Sequence, residues 1–102
     1  MKDEYEVKNA LISYTKIEIE DHGILTLWIG LDYGGTAQAF GGYDVRRNLS
    51  TWVQRIFEVL EVDDWDKVKG KTIRVKSNHS GVYSIGHFMK DKWFTPKEVF
   101  KS

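Results

Sequence analysis

The side chains in this sequence able to do chemistry are few, and their spacing is informative. Its only histidines are His22, His79 and His87, with no H-x-x-x-H or H-E-x-x-H arrangement. A structural or catalytic metal needs three or four ligands within reach, and this spacing supplies none. Ser80 follows His79, but no G-x-S-x-G elbow is present to hold a nucleophile. Carboxylates pair at Glu20-Asp21 and cluster at Asp63-Asp64-Asp66. The first pair reads as a hairpin turn, and the second as helix capping, where a carboxylate meets the orphan amides and positive end of a helical turn. The glycine pairs Gly34-Gly35 and Gly41-Gly42 do not open a helix, as a phosphate-cradling loop must. No catalytic residue, metal ligand or cofactor is therefore expected, and the chain reads as a non-enzymatic binding protein.

One mixture does suggest binding. Arg74, Lys76, Lys90 and Lys92 interleave with Tyr83, Phe88, Trp93 and Phe94. Aromatic faces stack on bases while lysine and arginine neutralise phosphate, so this set fits a nucleotide or a single-stranded nucleic acid. Packing is the plainer role for Phe88 and Trp93. Arg46-Arg47 is a second potential anion contact, although Asp44 lies close in sequence.

These side chains need a scaffold. Residues 7–20 alternate as a long strand whose phase changes, which predicts a bulge near Thr15-Lys16. Glu20 to Gly23 make a hairpin turn. Residues 24–32 form a strand apolar on both faces, fit for a central position or a subunit contact. Tyr33-Gly34-Gly35 turns the chain into a third strand, 36–43, in which Gly41 and Gly42 permit a bulge. Leu49, Trp52, Val53, Ile56 and Leu60 make one apolar stripe of a helix over 49–61, with Asn48 or Ser50 as its cap. A capped turn over 63–68 and strands over 71–77 and 82–89 follow, and Pro96 opens a terminal turn. The expected fold class is α+β: a curved antiparallel sheet or open barrel of about five strands with one helix across it.

The chain has 102 residues, enough for one modest core, so residues 1–102 read as a single domain. It has no cysteine, which removes disulfides and thiolate chemistry and fits a reducing compartment. The polar N-terminus lacks the apolar core of a signal peptide, and Ile24–Leu31 is too short to span a bilayer. A cytoplasmic location without membrane attachment is expected. Net charge is zero but uneven: residues 1–44 carry 3 basic and 8 acidic side chains, and residues 67–102 carry 9 basic and 2 acidic. A zero total argues against an acidic mimic of DNA.

The segments Glu20-Asp21-His22-Gly23-Ile24-Leu25-Thr26, Leu31-Asp32-Tyr33-Gly34-Gly35, Gln38-Ala39-Phe40-Gly41-Gly42-Tyr43 and Lys90-Asp91-Lys92-Trp93-Phe94 together resemble a pattern of small bacteriophage and prophage proteins. The resemblance spans nearly the whole chain. It implies an accessory role inside a bacterial host, such as countering host defence by sequestering a nucleotide-like signal or by blocking a defence protein, as anti-CRISPR proteins do. Such proteins gain concavity by pairing subunits, so a homo-oligomer is expected. Asp21, His22, Gln38, Phe40, Arg46, Arg47, Arg74, Lys90, Lys92 and Trp93 are the expected ligand-binding residues. A single-stranded nucleic-acid module on the same sheet is the alternative, and a small nucleotide-acting enzyme using His22 or His87 is a further one.

Overall fold

Backbone hydrogen bonding in the computed structural model, which describes residues 4–100, organises six strands and one long helix. The elements are β1 (Glu6–Ile19), β2 (Leu25–Asp32), β3 (Ala37–Asp44), α1 (Leu49–Leu60), a 3₁₀ turn (Trp65–Lys67), β4 (Thr72–Asn78), β5 (Gly81–Gly86), β6 (Trp93–Phe94) and the short α2 (Pro96–Val99). The fold is α+β, as the sequence predicts, with a sixth strand that the alternation missed because it is two residues long. All neighbours are antiparallel, in the order β3-β2-β1-β4-β5-β6. The sheet curls until β3 comes against β5. It does not close, and α1 lies across its concave face.

β1 makes the curl possible. Its first half, Glu6–Leu11, pairs with β4, and its second half, Leu11–Ile19, pairs with β2. The bulge lies between Ile12 and Tyr14, two residues earlier than the alternation suggests. The difference has a steric reason. Tyr14 pairs with Gly30 and its ring lies where a side chain at 30 would stand, so the phase changes where a glycine accepts the ring. The predicted β3 bulge is present: the register shifts between Leu27 and Trp28, opposite Gly41 and Gly42. Both glycines have positive φ, 125° and 80°, a region costly for residues with a Cβ.

The concave face holds the core. Leu27, Ile29 and Leu31 of β2, Ile73 and Val75 of β4, Ile85 of β5, and Trp52, Ile56 and Leu60 of α1 are buried together. An aromatic cluster centres on Trp52, whose ring lies 5.0 Å from Phe94, 5.8 Å from Phe40 and 5.4 Å from Phe100. Asn48 occupies the N-cap position of α1, but its side chain makes no cap bond and its Oδ1 is buried. The 63–68 turn is capped as expected, Asp64 Oδ1 accepting from the Asp66 amide at 2.9 Å. Among the described residues no helix is long and apolar enough to cross a membrane.

Candidate functional site

The expected ligand-binding residues fall into five places. Asp21 and His22 are exposed at the β1–β2 turn, where the Glu20 carboxylate accepts from the His22 amide at 2.6 Å. At the nearby end of β3, Arg46 makes a forked contact with Asp44, Nη2 to Oδ2 at 2.7 Å. That contact holds the Asp44 carboxyl down at about 2. Arg47 is exposed beside it.

Gln38 lies at the sheet's open seam. Its amide Nε2 donates to the Asn78 carbonyl at 2.9 Å, and its Oε1 accepts from the Tyr33 hydroxyl at 2.7 Å. Gln38 therefore staples β3 to the end of β4. Phe40 is 1% exposed and sealed between Trp52 and Phe94, so it is a core residue and has no surface for a ligand. It lies on the concave side of β3, where α1 covers it.

Arg74, Lys90, Lys92 and Trp93 do come together, around the β5–β6 loop. Their groups are largely engaged within the protein. Arg74 donates to the carbonyls of His87 at 2.9 Å and Lys90 at 2.7 Å. Lys90 and Lys92 both donate to Glu61 Oε2, at 2.7 and 2.9 Å. These lysines hold the Glu61 carboxyl at about 2, well below its ordinary value. Glu61 is the C-cap of α1 and the one described non-glycine residue with positive φ, 57°. His87 completes the clasp: its Nδ1 accepts from the amides of Met89 and Lys90, both at 3.0 Å, which places the ring proton on Nε2, 3.5 Å from Glu61 Oε1. Trp93 lies over Gly86 and donates to Asp91 at 3.0 Å. Lys76 Nζ stands 4.3 Å from its ring centre, within cation–π range. Phe88 is exposed, contrary to the packing expected of it, because the clasp turns the loop tip outward with Met89 at 78% exposure.

The clearest concavity lies elsewhere. A cleft of about 650 Å³ opens where the end of β3, the start of α1 and α2 meet, lined by Tyr43, Asp44, Asn48, Trp52, Pro96, Lys97 and Phe100. Its size falls within the range of small-molecule sites. Trp52 is its floor, with Tyr43 at 5.2 Å and the parallel Phe100 ring at 5.4 Å. A smaller hollow of about 240 Å³ shares Tyr43 and Lys97 and continues along the seam past Tyr83 and the stacked Tyr5. Among the described residues Lys97 makes no hydrogen bond or ion pair, and the buried Oδ1 of Asn48 has no partner. An unpartnered buried amide oxygen is a costly feature in a folded protein.

Sequence reading missed this cleft. Trp52 appears only as one member of an apolar stripe, and Lys97 and Phe100 as a terminal turn. Nothing in a periodicity indicates that α2 docks beside the first turn of α1. The stray signal was Asn48, a polar residue at a cap position with an aromatic four residues on. No protein-family model, curated protein or solved structure matches the chain.

Proposed function

We propose that this protein is a non-enzymatic binder that holds a nucleotide-like anion in the aromatic cleft. The observation that carries this reading is the conjunction of aromatic walls with two polar groups that lack partners among the described residues, Lys97 and Asn48. Tyr43 and Phe100 offer ring surface to a flat base. Lys97 offers an ammonium to a phosphate. Rotation of the Asn48 amide turns an unsatisfied acceptor toward a ring amino group, as asparagine does when it reads a base edge. Among the described residues the cleft places no histidine or paired carboxylates against that ligand, and Asp44 is held ionised by Arg46. These features suit retention better than turnover. The phage resemblance supplies the biological setting: a signal sequestered from host defence inside the bacterial cell.

Titration with AMP and with a cyclic dinucleotide, followed by NMR, tests the reading. Shift changes centred on Asn48, Lys97 and the Trp52 indole, with the nucleotide returned unchanged after denaturation, are the expected result. Silence of those signals at millimolar nucleotide, or recovery of a cleaved product, overturns it. A second reading, a single-stranded nucleic-acid module, has one observation in its favour, the Lys76–Trp93 pair on the uncovered sheet face. It requires oligonucleotide affinity that falls steeply with salt.

A further inference from the structure

Among the described residues, nothing pairs with one edge of the second half of β1. Beyond Leu11 no residue of β1 pairs with β4, and the last bonds on that side are Ile12 N–H to the Lys71 carbonyl and Gly70 N–H to the Ile12 carbonyl, both 2.8 Å. The other edge is fully paired with β2 as far as Ile19. Glu20 N–H donates to the Ile24 carbonyl at 2.9 Å, which sets the alternation. Tyr14, Lys16 and Glu18 turn their backbone groups to β2. Thr15, Ile17 and Ile19 turn theirs to the open edge. Ile17 is 43% exposed and Ile19 64% exposed. A straight strand edge with apolar side chains and no proline is a template for another strand.

We propose that this edge pairs with the same edge of a second copy, antiparallel about a two-fold axis through Ile17. The charge pattern selects that occupant. Centring the ladder on Ile17 sets Lys16 opposite the partner's Glu18, and Glu18 opposite the partner's Lys16. Both charges then meet their opposites twice across the axis, on the convex face. In the single chain the same two side chains face each other only along the strand, Nζ to Oε2 at 3.6 Å. On the concave face Ile17 meets the partner's Ile17, and Ile19 meets the partner's Thr15. Opposite-charge and β-branched cross-strand pairs both stabilise an antiparallel ladder. The two residues in register at the axis exchange a pair of N–H···O bonds, the arrangement required of an isologous contact. The result joins β3-β2-β1 of the two copies into a six-stranded sheet across the axis, with each β4-β5-β6 branching from the first half of its own β1 and both helices on the concave side. The ligand cleft is on different elements and does not depend on this pairing.

Light scattering during size exclusion, from about 1 µM to about 500 µM for an interface this small, reads the mass directly. The expected result is twice the 11.9 kDa of one chain at the upper concentrations. Lys16→Glu is expected to leave a monomer with unchanged circular dichroism, because it sets like charges opposite each other twice. The double variant Lys16→Glu/Glu18→Lys restores every pair and is expected to restore the dimer. Should Lys16→Glu not fold, hydrogen exchange of the wild-type protein decides: the Ile17 and Ile19 amides are protected only at high concentration if the edge is paired. A wild-type monomer throughout the range overturns the proposal and leaves the edge to a strand of a different protein. A Lys16→Glu dimer, or Ile17 and Ile19 amides that exchange freely at every concentration, overturns it equally.

Discussion

The β5–β6 loop and the cleft beside α2 are built from the same residue types, aromatic rings and lysines, and differ in what the lysines touch. At the loop, Lys90 and Lys92 share one Glu61 oxygen and Arg74 is occupied by two backbone carbonyls. The cations there stabilise a loop conformation. At the cleft, Lys97 has no such partner among the described residues and stands beside the exposed ring of Tyr43 and the partly buried ring of Phe100. The same composition is structural in one place and available in the other. What separates them is a single acidic residue, Glu61, brought within reach of the loop by the left-handed turn that ends α1.

Removing the floor of the cleft should produce the largest effect. Trp52→Ala is expected to cost about 3–5 kcal/mol, the usual range for a buried aromatic, because Trp52 is 1% exposed and meets four other rings. Trp93→Ala removes a ring that is only half-buried over Gly86 and should cost well under half as much. Urea unfolding of the two variants checks the difference, and equal losses would erase the contrast drawn between the regions. Next is Gly41→Ala, which places a Cβ against the Leu27 carbonyl at a φ of 125°. An expected loss of about 1–3 kcal/mol for strain of this kind would be seen in the same unfolding series.

That bulge was legible in the sequence, and so was most of the scaffold. Alternation in β2 and β4 and the apolar stripe of α1 are one-dimensional consequences of burying one face, and they place the core residues correctly. β6 was not legible, because two residues carry no period. The candidate site was read poorly for a related reason. Exposed cations can be recognised by type, but whether each has a partner is a property of three dimensions. Glu61 lies about thirty positions from Lys90 in the chain, and no local pattern couples them. Phe40 shows the opposite error: it sits in a glycine-rich segment that looks open, yet the curl of the sheet seals it under α1. Gln38 is expected to bind a ligand, and its bonds to Tyr33 and Asn78 give it a structural role instead, closing the seam.

The comparison sharpens further in binding. Lys97→Glu should weaken AMP binding by about tenfold, equivalent to ~1.4 kcal/mol, with no change in unfolding midpoint, since an exposed lysine with no ion pair among the described residues supports little of the fold. Lys92→Glu, tested beside it, should leave AMP affinity unchanged. Calorimetric titration measures both. Equal effects from the two lysines would indicate a diffuse field of positive charge in place of a cleft-bound phosphate.

The smallest expected effect belongs to the loop clasp, and its sign follows from Glu61. The two lysines depress its folded-state pKa from 4.5 to about 2. A group so depressed favours the folded arrangement fully above its ordinary value, and the contribution disappears as pH falls from 4.5 toward 2. Because Glu61, Lys90 and Lys92 all keep contact with water, screening keeps that contribution small, and the midpoint of global unfolding should barely move in Glu61→Gln. The effect should instead be local. In the variant at neutral pH, or in the wild-type protein as the carboxylate protonates, amide exchange should quicken at Lys90 and Lys92 while the core strands stay protected. The His87 contacts to the Met89 and Lys90 amides are untouched by Glu61→Gln at neutral pH, so in the variant the loop should loosen without unfolding. Were Glu61→Gln to leave those amides as slow as before, the imidazole and Arg74 alone would account for the loop's order. Lys90 and Lys92 would then be as available to a ligand as Lys97, and the distinction between the two regions would disappear.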